Sequence, residues 1–164
     1  MGFFDKLFSG KSKEEELGAP VDGEAVPIRE VSDPTFGEEI LGKGVAIRPT
    51  GNQIYSPCDA TVDLMFDTGH AVSLKADCGA EVLIHVGLET VSLKGEHFTT
   101  HAKTGDHVKA GQLLIEFDRE AVAAAGFDTI TPMVICNTAD YKEVNAHTGA
   151  AVSEGDTILT LVKE

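Results

Sequence analysis

The chain has 164 residues, which is enough for one domain with its own hydrophobic core. Apolar residues make up 42% and charged residues 24%, so a disordered or fibrous protein is excluded. The 13 Lys and Arg stand against 27 Asp and Glu, and a net charge of −14 argues against a nucleic-acid-binding surface, which needs clustered basic side chains. This acidity favours solubility, or electrostatic attraction of a basic protein partner.

The N-terminal segment differs from the rest of the chain. Residues 1–8 form an amphipathic patch whose apolar side chains can share one helical face: Phe3, Phe4, Leu7 and Phe8. Such a patch can lie on a membrane surface, with nearby lysines facing anionic headgroups, or form a short helix docked on the domain or a frayed terminus. Residues 10–18 are polar and charge-rich, which predicts a linker. We therefore place the domain at residues 19–164.

The N-terminal sequence and the cysteines indicate the cellular compartment of the protein. The start Met1–Lys6 contains an acidic residue and is followed by no continuous apolar run, unlike a secretory signal. No stretch is apolar for the roughly eighteen residues of a membrane span. Cys58, Cys78 and Cys136 are scattered and form no Cys-x-x-Cys pair, which is typical of free thiols in a reducing compartment. These features predict a cytoplasmic protein.

From residue 19 onward, short apolar or alternating segments are separated by glycine-containing turns, which is typical of β-strands. The predicted strands lie at Val26–Val31, Gly44–Pro49, Val62–Phe66, Val72–Leu74, Val82–Val86, Leu113–Phe117, Met133–Cys136 and Ile158–Val162. One helix is predicted at Arg119–Ala125, where Asp118 can cap the first turn and Gly126 suits the C-terminal end. Many short strands and little helix predict an all-β fold, an antiparallel sandwich or barrel.

An internal repeat sharpens this prediction. Thr104–Ile115 aligns without gaps with Thr148–Leu159, and a weaker echo joins Pro20–Gly23 to Pro57–Ala60. Each copy of the longer motif predicts a turn, a short strand, a second glycine turn and a buried strand. Two such units pairing about a pseudo-symmetric axis predict a barrel-sandwich hybrid with a duplicated motif. The same turn occurs in lipoyl and biotinyl carrier domains, so the repeat indicates architecture without fixing function.

Two of the six histidines occupy positions where strand pairing can bring them together. His85 lies near the end of the apolar strand Glu81–Val86, and His70 opens the strand Ala71–Leu74. A hairpin with its turn at Asp77–Gly79 would place the two imidazoles near each other. The remaining histidines fall in polar or turn segments that are typical of the surface: His97, His101, His107 and His147. A lone strand histidine is more often structural, so the pair and not either residue alone indicates a site.

Two neutral imidazoles can carry out phosphoryl transfer together. One ring nitrogen attacks phosphorus, while the second imidazole donates a hydrogen bond to the phosphoryl oxygens as charge redistributes. A pKa near neutrality suits both roles. The other ring nitrogen of the nucleophile needs a fixed acceptor, and a nearby backbone carbonyl such as that of Gly87 can serve. The rest of the reaction depends on positioning and charge stabilisation.

Several ordered motifs carry a family resemblance over about residues 19–163. They are Gly44–Gly51, Thr68–Ala71, Leu83–Glu96, Gly105–Phe117 and Thr131–Ile135. Together they resemble the glucose-type IIA component of the bacterial phosphoenolpyruvate-dependent sugar phosphotransferase system, and the Met1–Leu7 start is similar to stand-alone members. One departure is Glu89, where many members have Asp.

The resemblance implies residue roles. His85 matches the phosphorylated histidine, His70 the second active-site histidine and Thr68 the hydroxyl that supports the pair. Gly87 matches the position whose carbonyl orients the phosphorylated ring. An apolar ring around the site is implied to dock partners: Phe36, Leu41, Phe66, Leu83 and Val91. The implied activity is that of a phosphotransferase with a phosphohistidine intermediate.

The resemblance also implies partners. Phosphoryl would come from HPr to His85 and pass to a cysteine of a IIB domain, part of a IIB/IIC sugar permease. The unphosphorylated form can bind regulated enzymes or permeases through the same face. No cofactor is required, although family complexes sometimes hold zinc between the two histidines, here His70 and His85.

Two alternatives come from other classes. A zinc metallopeptidase on a related β fold would need a His-x-His pair with a third ligand, and no His-x-His occurs in the sequence. A biotinyl or lipoyl carrier would need a lysine at the tip of a hairpin between the repeat units, and none is seen there. The sequence therefore favours a phosphocarrier.

Overall fold

The computed structural model describes residues 14–163. The amphipathic patch predicted at residues 1–8 and the first part of the predicted linker lie outside the described residues. Among residues 14–163, no helix is long and apolar enough to cross a membrane.

Within that range the chain forms fourteen strands and two short α-helices. The strands are β1 Glu14–Gly18, β2 Gly23–Pro27, β3 Lys43–Pro49, β4 Gln53–Tyr55, β5 Ala60–Met65, β6 Ala71–Ala76, β7 Glu81–His85, β8 Phe98–Thr100, β9 His107–Val108, β10 Leu113–Phe117, β11 Thr131–Ile135, β12 Glu143–Ala146, β13 Ala150–Val152 and β14 Thr157–Val162. The helices are α1 Pro34–Gly37 and α2 Arg119–Ala124. Single 3-10 turns lie at Ile28–Glu30, Thr90–Leu93 and Thr138–Asp140.

The strands form one large and two small sheets. The large sheet has eight strands in the order β13-β2-β3-β11-β7-β6-β5-β9, and the small sheets are β1-β14-β12 and β4-β10-β8. Neighbouring strands pair antiparallel throughout these sheets. The predicted all-β antiparallel sandwich is confirmed.

The alternation of side chains along β7 decides where His85 points. Val82 and Ile84 are fully buried in the main core, whereas Leu83 and His85 lie on the opposite face and are half-buried. A second, smaller apolar cluster covers that opposite face and packs against Leu83. Its members are Val26, Ile28, Val31, Phe36, Ala46, Leu88, Ile130 and Val134. The strand that carries His85 is therefore fixed by apolar packing on both faces of the sheet.

The internal repeat folds into two equivalent units. The second glycine of each copy donates its N–H to a carbonyl of a preceding segment: Gly111 to Ser56 (2.8 Å) and Gly155 to Ala19 (3.0 Å). An aspartate three residues further along that segment accepts a backbone N–H from the same turn: Asp59 from Ala110 (2.9 Å) and Asp22 from Glu154 (2.7 Å). Because the bonds come in matched pairs, the two units are related by the predicted pseudo-symmetry.

The linker prediction is wrong for residues 14–18. They form β1, which pairs antiparallel with β14 so that Glu14 lies opposite Val162. β1 is an edge strand, and Leu17, only 1% exposed, is its one deeply buried side chain. A surface strand with a single buried position has the polar composition of a linker, which explains the error.

The helix prediction is confirmed and a shorter helix is new. Helix α2 begins after Asp118, whose carboxylate accepts the N–H of Ala121 at 3.0 Å, and it is followed by Gly126 with a φ of +98°. Helix α1 was not predicted. It begins at Pro34 and is capped by Asp33, which accepts the N–H of Thr35 at 3.0 Å.

We expect Ile47→Ala to lower the free energy of unfolding by about 2–5 kcal/mol, because it leaves a cavity in the core. Ile47 is 0% exposed in the middle of the large sheet. The matched control is Ile40→Ala, since Ile40 is 67% exposed and its removal should change stability by no more than about 0.5 kcal/mol. Urea unfolding followed by circular dichroism measures both, and equal losses would contradict the assigned core.

Candidate active site

A hydrogen bond to the backbone sets the chemistry of His85. Its Nδ1 atom lies 2.6 Å from the carbonyl oxygen of Gly87. A carbonyl oxygen can only accept, so Nδ1 carries the proton and donates it. In the neutral ring, Nε2 is then left with an available lone pair. Nε2 is therefore the nucleophilic atom of this side chain.

The backbone that presents this carbonyl requires glycine. Gly87 has a φ of +78°, in the left-handed region that side chains disfavour. A Cβ added there would lie 2.7 Å from Cγ2 of Thr90 and 2.9 Å from the carbonyl oxygen of Asp128. Position 87 thus excludes a side chain both by conformation and by space.

His70 lies beside His85, with the two ring centroids 5.0 Å apart and the ring planes at 80°. Ala71 is the residue paired with His85 in the ladder, and His70 belongs to the loop before β6. That loop bends at Gly69, whose φ is +72°, and the carbonyl of His70 accepts the N–H of Val86 at 2.7 Å. The predicted proximity of the two imidazoles is therefore found in the structure.

Thr68 fixes the ring of His70. Its hydroxyl is hydrogen-bonded to Nδ1 of His70. His70 itself is only 4% exposed. The structure thus brings together the four residues that the sequence singled out for the chemistry: His85, His70, Thr68 and Gly87.

An aromatic ring flanks each imidazole. Phe36 of α1 packs against His85 with centroids 5.2 Å apart, and Phe66 packs edge-on against His70 at 5.4 Å. Phe36 is buried and Phe66 half-buried. These contacts limit the rotation of both imidazoles and remove water from one side of each.

The remaining predicted docking residues extend the apolar surface. Leu41 and Val91 are 37% and 52% exposed, and Leu83 is half-buried on the same strand face as His85. Three of the four histidines predicted to lie at the surface are exposed, namely His101, His107 and His147, whereas His97 is half-buried.

Burial favours the neutral form of both imidazoles. Burial, reinforced by the nearby charge of His85, lowers the pKa of His70 from 6.5 to about 4. Burial also lowers the pKa of His85, although the Gly87 carbonyl and the negative charge of Asp33 act in the opposite direction. Near pH 7 both rings are therefore neutral, and each carries one protonated and one unprotonated nitrogen.

An acidic groove opens beside His85. Three of the side chains that line it are carboxylates, Asp33, Glu89 and Asp128, and among residues 14–163 no Lys or Arg lines it. Glu89 is exposed and adopts a φ of +61° at the start of the 3-10 turn. The groove accordingly favours a cationic group over an anionic one next to the nucleophile.

Sequence reasoning missed Asp33 and Thr90. The dipeptide Asp33-Pro34 is a recognisable helix start, so it could have indicated the cap, although not its proximity to His85. Nothing local distinguishes Thr90, whose importance comes from complete burial beneath the Gly87 turn.

The described part of the chain holds no group of three or more His, Cys, Asp or Glu side chains arranged to bind a metal ion. His70 and His85 can supply two nitrogen ligands, because Nδ1 of each is already bonded within the chain and Nε2 is left over. A zinc ion between them would therefore need its further ligands from a partner.

Comparisons with known proteins agree on one family. The family model for the phosphoenolpyruvate-dependent sugar phosphotransferase system, EIIA 1, matches residues 15–141. The chain is 41% identical to the glucose-specific EIIA component of Haemophilus influenzae, over 99% of this chain and 100% of that protein. It is 45% identical to the beta-glucoside-specific EIIBCA component of Dickeya chrysanthemi, over 94% of this chain but 24% of that longer protein.

A solved structure shares the fold. Glucose permease IIA from Mycoplasma capricolum superposes with a TM-score of 0.84 at 32% sequence identity. The alignment covers 90% of this chain and 96% of that one.

We expect His70 to titrate near pH 4 in the folded protein, as followed by the NMR shifts of its ring carbons and protons. The unfolded chain takes up that proton near pH 6.5, so the burial of neutral His70 costs no stability above this pH. The free energy of unfolding then falls as the pH drops from 6.5 towards about 4. The change His85→Ala should raise the pKa of His70, because it relieves burial and removes a like charge. A folded-state titration of His70 at its ordinary value would contradict the assigned environment.

Proposed function

The chain belongs to the EIIA 1 family of the phosphoenolpyruvate-dependent sugar phosphotransferase system, and from this membership we propose that it is a phosphocarrier with His85 as its phosphorylated residue. One observation carries the choice of residue: the bond from Nδ1 of His85 to the Gly87 carbonyl leaves Nε2 free to attack. The relatives named as EIIA components support the reaction class, and the geometry supports the assignment of its atoms.

The proposed first transfer starts from a phosphohistidine of HPr. The lone pair on Nε2 of His85 attacks the phosphorus, a new phosphorus–nitrogen bond forms, and the bond to the donor's imidazole breaks. In the second transfer a cysteine thiolate of a IIB domain attacks the same phosphorus, and the imidazole of His85 leaves. Atoms and charge balance in both steps without a cofactor.

His70 is proposed to stabilise the transferred phosphoryl group. A neutral His70 can donate from Nε2 only if Nδ1 is unprotonated, and Thr68 permits this because its hydroxyl can donate to Nδ1. The low pKa of His70 keeps the ring neutral, so it can donate a hydrogen bond without adding a full charge. Donors placed in advance of the reaction are effective because they cost no reorganisation.

The surface around the site supports basic partners with an apolar contact area. Asp33, Glu89 and Asp128 would attract a cationic group of HPr or IIB, while Leu41 and Val91 supply exposed apolar area beside it. Longer relatives named EIIBCA match over about a fifth to a quarter of their length, which supports a IIB/IIC permease as the acceptor. The same face is proposed to bind regulated enzymes or permeases, with zinc held by His70 and His85 where a partner completes the ligand set.

We expect incubation with phosphoenolpyruvate, enzyme I and HPr to add one acid-labile phosphoryl group to the wild-type chain. His85→Ala should abolish the gain, because it removes the attacking nitrogen, and His107→Ala should retain it, because that exposed ring lies outside the site. Intact-mass spectrometry measures each product. A persistent gain in His85→Ala would move the nucleophile to another residue.

The variant His70→Ala is expected to accept phosphoryl but to pass it to IIB about a hundredfold more slowly, because a transition-state donor is lost. The measurement is the decay of the purified phosphoprotein after mixing with IIB. Thr68→Val should show a smaller loss in the same direction, since it leaves the ring but removes its hydroxyl partner. Normal onward transfer by His70→Ala would rule out the proposed role.

A further inference from the structure

Thr90 is a polar side chain with no contact to solvent, since its exposed fraction is 0%. It lies five residues after His85, at the start of the 3-10 turn Thr90–Leu93. Burying a hydroxyl is unfavourable unless it is hydrogen-bonded, so its partner identifies what the residue stabilises. That partner is the carbonyl oxygen of Val86, to which the hydroxyl donates at 2.6 Å.

We propose that Thr90 is a positioning residue for phosphoryl transfer: its hydroxyl holds the turn that presents the Gly87 carbonyl to Nδ1 of His85. Thr90 does not touch the transferred group. Its effect is exerted through the backbone, and the inference rests on the proposed function only where it concerns transfer rates.

The first contact fixes the peptide before Gly87. The carbonyl of Val86 is held by Thr90, and the N–H of Val86 donates to the carbonyl of His70 at 2.7 Å. Val86 is therefore bonded on both sides, once to the loop of the second histidine and once to the buried threonine. A shift of this residue would move the two imidazoles relative to each other.

The second contact fills the space beside Gly87. The Cγ2 methyl of Thr90 lies 2.7 Å from the position that a Cβ at residue 87 would occupy. The methyl thus occupies the side of the turn that the glycine leaves open. On the far side of the turn, the N–H of Leu88 donates to the carbonyl of Asp128 at 2.9 Å. The peptides before and after Gly87 are both anchored.

Anchoring matters because the turn is conformationally costly. Glu89 has a φ of +61°, in the left-handed region that is costly for a residue with a side chain. A strained turn relaxes when the contacts that hold it are removed. Loss of the Thr90 hydroxyl would also leave the Val86 carbonyl without this donor. The carbonyl of Gly87 would then no longer be fixed on Nδ1 of His85.

The expected consequence is a mixed ring state. When Gly87 accepts firmly from Nδ1, the ring is held with its proton there and with Nε2 bare. When that acceptor moves, the proton is also found on Nε2, and such a ring cannot attack. Thr90 would therefore control the fraction of His85 that is competent for transfer, without contacting the ring.

The test compares Thr90→Val, which keeps the shape and removes the hydroxyl, with Thr90→Ser, which keeps the hydroxyl. Ring nitrogen NMR of the unphosphorylated protein reports the tautomer of His85 and needs no phosphoryl donor. We expect the Nδ1–H form in wild type and Thr90→Ser, and a mixture in Thr90→Val. The phosphorylation rate from HPr should fall roughly tenfold in Thr90→Val, the size typical of a lost positioning contact.

The matched control is Thr138→Val. The Thr138 hydroxyl also donates to a carbonyl, that of Ile135, at 2.6 Å. Ile135 is the last residue of β11 and pairs with Val82, so Thr138 lies at the end of β11 that is away from His85. This variant should lose stability and keep the wild-type tautomer and rate. If Thr90→Val does not fold, the comparison of Thr90→Ser with Thr90→Ala replaces it, with the mixture expected for Ala.

Two outcomes overturn the inference. An unchanged His85 tautomer in folded Thr90→Val, or in Thr90→Ala, means that the threonine stabilises the fold only. A mixed tautomer in Thr138→Val means that any loss of stability disturbs the ring. If the tautomer changes as expected but no variant, wild type included, accepts phosphoryl from HPr, then the proposed function fails and the positioning role of Thr90 stands.

Discussion

The hydrogen bond between Nδ1 of His85 and the carbonyl of Gly87 decides what this site can do. An imidazole has two nitrogens of similar basicity, and an unconstrained ring exchanges its proton between them. Here the acceptor is a backbone atom, which cannot donate and cannot titrate. The reactive nitrogen is therefore selected by the course of the main chain. The left-handed conformation of Gly87 is what turns its carbonyl back onto the ring.

The surrounding architecture makes that selection rigid. Ile84 packs into the main core on one face of the large sheet, and Leu83 packs against the second cluster on the other. A strand embedded on both faces cannot tilt, so the ring of His85 has a fixed base. Phe36 and Phe66 then restrict the rings themselves. For a reaction in which positioning and charge do most of the catalysis, stiffness is the main contribution of the fold.

Features that repeat along the chain could be predicted from the sequence, and features that depend on three-dimensional proximity could not. The apolar segment around His85 predicted the strand that carries it, and the duplicated glycine turns indicated the pseudo-symmetric units. The register of the hairpin was not predictable: Ala71 is the residue that pairs with His85, and the ring of His70 reaches His85 from the loop that contains Gly69. The edge strand β1 was missed because one buried leucine is too weak a periodic signal.

The pairing of β1 with β14 has a consequence for how such a domain is joined to other chains. Glu14 lies directly opposite Val162, so the two ends of the described chain leave from neighbouring positions on one small sheet. A polypeptide joined at either end is therefore connected to that small sheet and not to the eight-stranded sheet that carries His85. The same unit can therefore be joined to a longer polypeptide without a change to its reactive face, and the EIIBCA relative of which it matches 24% is such a longer polypeptide.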